Sequence, residues 1–282
     1  MTKAALVLQG GGIRGAFTAG VLDVFIQNGI EFEYVIGVSS GALIGTNYIT
    51  KQVGRSFEII HGFCHDKKFG SVSNLVRSHN YFNSEYLFKD IAEKILPFDM
   101  TSFNNSSVKF YCAATCLKNG GATYFSKTRS DFWGCLKASM SLPLISTPVE
   151  IDGNYYLDGG NSDPIPFRKP LDEGYQRIVI VETREKEYRK EDKRLANRLY
   201  NRLYGKYPEY LNCLREYPNL YNNRVETIEF LEKSGKAIVI RPDKTVSVSR
   251  TEKNKEKIKS LYDDGVRIAT NLLKQIKEYL GE

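Results

Sequence analysis

Short unbroken apolar runs and amphipathic stretches take turns along the first 50 residues. Residues 4–8 (Ala-Ala-Leu-Val-Leu) are continuously apolar and end at glycines, the pattern of a strand buried on both faces of a parallel sheet. Gly10, Gly11 and Gly12 follow. Residues 15–27 then carry Phe17, Val21, Leu22, Phe25 and Ile26 on one helical face, and Asn28-Gly29 stops that helix. Residues 34–38 predict a second buried strand, and residues 40–46 a helix that starts with small side chains. Strand, glycine turn, helix, strand, sharp turn, helix is the order of an α/β fold.

Further along, residues 84–96 predict a helix with Ser84 as its cap and Pro97 beyond it. Residues 108–115 read as a strand, and residues 122–125 pair back on it through the Asn119-Gly120-Gly121 turn. A helix capped by Ser130 or Asp131 runs to about Met140. Residues 149–151 and 155–157 form a second hairpin, which ends in Asp158-Gly159-Gly160. A buried strand spans 177–181, a helix 225–233, a short strand 237–240 and a long amphipathic helix 252–280. The predicted organisation is a core over residues 4–184 and a basic, mostly helical extension over residues 185–282.

Composition narrows the class. The chain has 282 residues, 41% of them hydrophobic and 26% charged, which suits a folded globular protein. No apolar run approaches the roughly 18 residues of a membrane-spanning helix. The apolar start is too short for a secretory signal and Thr2 excludes myristoylation, so the sequence reads as cytoplasmic. Cys64, Cys112, Cys116, Cys135 and Cys213 are odd in number and irregularly spaced, which predicts reduced structural thiols and no zinc site.

Two motifs occupy the two strand-to-helix turns. Gly10-Gly11-Gly12-Ile13-Arg14-Gly15 fits a dinucleotide loop by spacing, but no acidic residue ends the second strand to hold a ribose. Its other reading is an oxyanion hole: unhindered backbone N–H groups of Gly11 and Gly12 aimed at a developing negative charge, with Arg14 bracing the loop or adding positive charge. Gly37-Val38-Ser39-Ser40-Gly41 fits a nucleophile turn, which exposes a serine hydroxyl between strand and helix. In a parallel sheet both turns fall at the same carboxyl edge.

Histidine usage then limits the base. The three histidines, His61, His65 and His79, lie within 19 residues of one another. A triad in the order serine, acid, histidine cannot be built, because no histidine lies beyond residue 79. A carboxylate is left, and Asp158, at the end of an apolar strand and the start of a glycine turn, is the best placed. His61 and His65 have the i, i+4 spacing of a zinc pair, but the accompanying glutamate is missing, and solvated or packing roles fit them better.

The net charge of +7 is unevenly spread: residues 184–224 hold 11 Lys/Arg, 6 Asp/Glu and 7 of the 18 tyrosines. Such a stretch suits peripheral contact with an anionic membrane surface, or a helical layer with its tyrosines packed inward. No nucleic-acid motif accompanies the charge, so no nucleic-acid partner is expected.

Taken together, the glycine loop, the Gly37–Gly41 serine turn and the Asp158-Gly159-Gly160 aspartate, in that order, resemble the patatin-like phospholipases over about residues 4–184. The resemblance implies an α/β/α sandwich with a mainly parallel sheet, and a lipid acyl hydrolase acting through a Ser39–Asp158 dyad and an acyl-enzyme on Ser39. It implies Gly11, Gly12 and Arg14 at the oxyanion and no metal or cofactor. A thioesterase or small-ester esterase with the same dyad, and a non-catalytic lipid-binding protein with the same fold, are the other expectations.

Overall fold

Continuous apolar runs at residues 4–8, 34–38 and 178–181 place strands in the middle of a sheet, and the protein puts them there. The structure is a computed structural model and describes residues 2–191 and 194–281. Its strands are β1 (Thr2–Leu8), β2 (Phe32–Val38), β3 (Lys109–Cys116), β4 (Ala122–Ser126), β5 (Val149–Ile151), β6 (Asn154–Asp158), β7 (Ile178–Val181) and β8 (Ala237–Ile240). They form one sheet in the order β5-β6-β3-β2-β1-β7-β8, and β4 also pairs with β3. From β3 to β8 the main path is parallel. The β4 and β6 strands run antiparallel to β3, and β5 antiparallel to β6.

Alternation along the strands divides the core in two. Ala4, Leu6 and Leu8 of β1 face one layer. That layer contains α1 (Gly15–Gln27), α2 (Ser40–Ile49) and α3 (Phe132–Met140). It also holds the C-terminal helix, here α6 (Lys255–Leu280), through Ile258, Leu261, Ala269, Ile276 and Leu280. Ala5 and Val7 face the other way, with Tyr34, Ile36, Ile178 and Ile180, against Tyr221, Val225 and Ile228. Those last three belong to α5 (Pro208–Lys233), which follows α4 (Arg194–Tyr204). The protein is an α/β/α sandwich whose second helical layer comes largely from the C-terminal region.

That region is built in rather than appended. β8 pairs with β7 and widens the sheet. α6 crosses α1 closely enough that a β-carbon at Gly265 would lie 2.2 Å from the Phe17 carbonyl oxygen, so only glycine fits the crossing. The Tyr262 hydroxyl donates to Asp23 Oδ2 across the same contact (2.8 Å). A buried ion pair ties α5 to the core: Arg224 Nε lies 3.2 Å from Asp163 Oδ1.

Two local expectations shift. The helix at 225–233 is the end of a 26-residue helix that carries Pro218 inside it. Tertiary packing of Tyr210, Leu211, Leu214, Tyr221 and Val225 overrides the break that proline signals. The helix at 84–96 is capped by Asn83, whose Oδ1 accepts from the Tyr86 N–H (3.0 Å), one residue before Ser84. It winds mostly as a π-helix over Tyr86–Ile95. The seven tyrosines of residues 184–224 are all buried or half-buried, so they form packing surface.

Candidate active site

The carboxyl edge of the sheet gathers the motif residues. Gly12–Arg14 forms a single helical turn that leads into α1 at Gly15. Ser39 stands between β2 and α2 as the cap of the helix, with Gly37 behind it in the strand and Gly41 in the first helical turn. Its backbone lies at φ 55° and ψ −130°, a region that side-chain-bearing residues adopt only under strain. The Ser39 N–H donates to Ser139 Oγ on α3 (3.0 Å). The strand, the helix and this buried hydrogen bond fix where the hydroxyl points.

Asp158 arrives from the other side. β6 pairs with β3 so that Asp158 lies opposite Ala114, and Gly159 and Gly160 turn the chain away in the short helix Gly159–Asn161. Its carbonyl is held by Thr115 Oγ1 (2.8 Å) and Asn161 Nδ2 (3.1 Å), and its N–H by the Ser141 carbonyl (2.7 Å). Its Oδ1 accepts from the Gly160 N–H (2.7 Å). Oδ2 is buried and makes no hydrogen bond of normal geometry. Burial raises the carboxyl pKa above its ordinary value; the nearby Ser39 hydroxyl, the Gly160 N–H and the Arg250 charge pull it back. Ser39 and Asp158 therefore sit side by side, with one carboxylate oxygen left open toward a proton.

The glycine loop lies against both. Gly11 does not offer a free donor: its N–H goes to Ser40 Oγ (2.9 Å). The Ile13 N–H goes to the Arg250 carbonyl (3.1 Å). Among the described residues no hydrogen bond uses the N–H of Gly12 or of Ser40. Both stand at helix starts, where the backbone dipoles favour negative charge. Gly12 has φ +59°, and a β-carbon there would lie 2.5 Å from the Arg250 carbonyl oxygen, so this position needs glycine. Gly10 packs directly beside the Ser39 β-carbon. Arg14 is buried, and its Nε has no hydrogen-bond partner. Burial lowers its pKa to about 10, helped by Arg184 and Arg250, which leaves it cationic at neutral pH.

Two cavities share Gly12, Ser39 and Leu142. One is an apolar cleft of about 910 Å³, its open mouth included, walled by Leu43, Ile59, Ile60, Phe82, Leu87 and Met140 among others. The second is polar, about 520 Å³ with its mouth, and is lined by Asp158, Arg14, Arg184, Lys190, Tyr217 and Arg250 among others. Ser39 stands where the two meet. None of the three histidines lines either cavity. His61 stacks on Phe57 with ring centres 4.8 Å apart, and His79 ends the helix Val72–Ser78.

Sequence reasoning missed Ser139, Arg184, Lys190, Tyr217 and Arg250. Ser139 lies in a short helix beside the motif it supports, and Arg250 reaches the site from a loop just before α6. Nothing in residue type or spacing marks Arg250 as a site residue. The five cysteines are free, four of them buried. Burial lifts the Cys135 thiol to about 11 and the Cys213 thiol to about 12, so these two are not activated nucleophiles. Among the described residues no cluster of three or more metal-ligating side chains occurs.

Comparison with known proteins matches residues 6–171 to the patatin-like phospholipase family model and residues 207–281 to a domain of unknown function, DUF6363. The chain is 31% identical over 186 residues to the uncharacterized protein YjjU of Escherichia coli K12, covering 64% of this chain and 52% of YjjU. It is 28% identical over 185 residues to lysophospholipase NTE1 of Scheffersomyces stipitis, covering 63% of this chain and 11% of that protein. The match to the Saccharomyces cerevisiae lysophospholipase NTE1 is 27% over 186 residues, covering 63% of this chain and 10% of that one. The chain thus spans about half of YjjU and about a tenth of these lysophospholipases. Among solved structures, VipD of Legionella pneumophila aligns with a TM-score of 0.55 at 13% identity, over 97% of this chain and 67% of VipD, a likeness of fold.

Proposed function

The chain belongs to the patatin-like phospholipase family, and from that membership we propose that it is a lipid acyl hydrolase with a Ser39–Asp158 dyad. The observation that carries the reading is the position of Ser39, at the junction of an apolar cleft and a polar cavity and beside a buried carboxylate. The acyl chain lies in the cleft along Leu43, Ile59, Ile60 and Met140. Asp158 takes the Ser39 proton as Oγ attacks the ester carbonyl. The oxyanion forms against the N–H groups of Gly12 and Ser40, with Arg14 as a fixed positive charge nearby. Gly11 keeps the loop in place through Ser40 Oγ rather than donating to substrate. Collapse expels the leaving oxygen, which takes the proton back from Asp158 and departs as the alcohol, leaving an acyl-enzyme on Ser39; Asp158, ionised again, takes a proton from the attacking water and returns it to Ser39 Oγ as the fatty acid is released. On this reading residues 185–282 serve the core by covering its sheet and closing the polar cavity.

The expected result is release of fatty acid from a long-chain lysophospholipid, with stoichiometric fluorophosphonate labelling of Ser39 and none in Ser39→Ala. A folded protein that neither labels nor hydrolyses would favour a non-catalytic lipid binder.

Peripheral contact with an anionic membrane surface belongs to the same proposal. Val72 and Val76 are 68% and 74% exposed, one helical turn apart, and their helix leads into Asn80 and Phe82 on the cleft wall. Among the described residues no helix is long and apolar enough to cross a membrane. Co-sedimentation with phosphatidylglycerol vesicles is expected, weaker at high salt and several-fold weaker for Val72→Asp/Val76→Asp. Equal binding by that variant would move the contact elsewhere.

A further inference from the structure

The apolar cleft ends on a polar wall. α2 lines it with Ser40, Leu43, Ile44 and Asn47, one stripe of the helix that starts beside Ser39. The next positions on that stripe, Thr50 and Lys51, line a different cavity together with Glu31, at the amino edge of the sheet. The chain turns between Thr50 and Gly54, where the Gly54 N–H donates to Asp23 Oδ1 (2.9 Å). It then lines the cleft again with Ser56, Ile59 and Ile60. Asn47 is thus the α2 residue of the cleft farthest from Ser39, and Ser56 is the first lining residue after the turn.

These two side chains close on each other. Asn47 Nδ2 donates to Ser56 Oγ (2.8 Å), and Asn47 Oδ1 accepts from Arg55 Nη1 (2.6 Å). Arg55 also donates from Nε (3.1 Å) and Nη2 (2.7 Å) to the Leu96 carbonyl, and its guanidinium lies 5.2 Å from the centre of the Phe98 ring. All three side chains are buried. Among the described residues no carboxylate pairs with Arg55. Parting Asn47 from Ser56 leaves buried polar atoms unpaired, and displacing Arg55 strands a buried charge. An apolar chain end therefore stops at this layer instead of opening it.

We propose that Asn47 and Ser56 are the floor of the acyl site and set the length of chain it measures, with Arg55 as the positioning residue behind them. This rests on the hydrolase reading and adds an acyl-length preference to it. Ser39 caps α2 and Asn47 lies eight residues further along it, about 12 Å at the helical rise. An extended chain advances about 1.2 Å per bond, so about ten carbons fill that distance. Longer acyl groups are still cleaved, but their further carbons stay at the mouth and gain little burial.

The test is the profile of kcat/KM on lysophosphatidylcholines with saturated chains from C6 to C16, each below its critical micelle concentration. The wild type is expected to gain about two- to fourfold per added methylene up to about C10 and to level off beyond it. A gain that keeps the same slope to C16, or a profile already level from C6, overturns the floor. In Asn47→Ala the break should move outward by about two carbons, which raises the ratio of the C12 to the C8 substrate by about 4–16-fold. Ser56→Ala is the milder change, worth about threefold in the same ratio, and it reads the floor if Asn47→Ala does not fold. A layer that only holds α2 in place would lower all chain lengths alike, and an unchanged ratio in the folded variants overturns the proposal. If no chain length is cleaved the hydrolase reading fails instead, and free fatty acids from C6 to C16 then read the floor as ligands. A rise in Tm that grows with chain length and stops near C10 still supports it; one that keeps growing, or no rise, overturns it.

Discussion

Ser39→Gly is expected to abolish hydrolysis and at the same time raise Tm. The loss follows from the missing nucleophile and should approach about 10⁶-fold in kcat, as for other serine hydrolases stripped of their serine. The gain follows from the backbone. Ser39 sits at φ 55°, ψ −130°, where a side chain costs about 1–3 kcal/mol and glycine almost nothing. Glycine gives back about 0.5–1 kcal/mol through the greater freedom of the unfolded chain. The net is a stabilisation of about 1 kcal/mol, or roughly 2–4 °C in a chain of this size. Ser39→Ala separates the two effects, because it removes the hydroxyl and keeps the strained β-carbon: equal loss of activity, no gain in Tm. A lower Tm for the glycine variant would mean that the turn is not strained, and residual hydrolysis would place the nucleophile elsewhere.

Strain of this kind is invisible in composition yet announced by the motif, and the rest of the molecule divides along the same line. The core strands were legible because residues 4–8, 34–38 and 178–181 are continuously apolar, the pattern of a strand buried on both faces of a parallel sheet. The two site turns were legible because glycines crowd where backbone must pass close to backbone. Asp158 was reached by elimination, since histidine is confined to residues 61–79, and the fold sets it next to Ser39. What could not be read was the partnering of distant segments. β8 is only four residues long, and nothing local says that it extends the sheet. α5 carries Pro218, a breaker by type, and its inward face is set by tyrosines that also suit a membrane surface. The cationic cavity is assembled from residues 14, 184, 190 and 250, which no spacing rule connects. The hydrogen bonding of the glycine loop is hidden for a related reason: the Gly11 N–H donates to Ser40 Oγ, a partner 29 residues away.

Asp158→Asn should lower kcat by about 10³–10⁴-fold, the usual worth of a positioned proton acceptor, while leaving the protein folded and no less stable. The amide is nearly isosteric; its oxygen can keep the Gly160 N–H, and its NH₂ faces Ser39 without a charge to desolvate. The pH dependence sharpens the test. Asp158 accepts a proton only when ionised, and burial first of all raises its pKa. Wild-type kcat/KM should therefore climb with pH along a limb displaced above the ordinary aspartate value of about 3.9, and the asparagine variant should lack that limb. Stability moves the other way. A carboxyl whose pKa is higher folded than unfolded contributes fully below the unfolded value and loses that contribution as pH rises through the folded one. Asparagine carries no such group, so the variant should gain on the wild type in Tm across the very window in which the wild type gains activity. An asparagine variant that kept the limb would assign it to another group, and one that fell behind the wild type in Tm as pH rises would mean that the ionised carboxylate is held by the fold rather than strained by it.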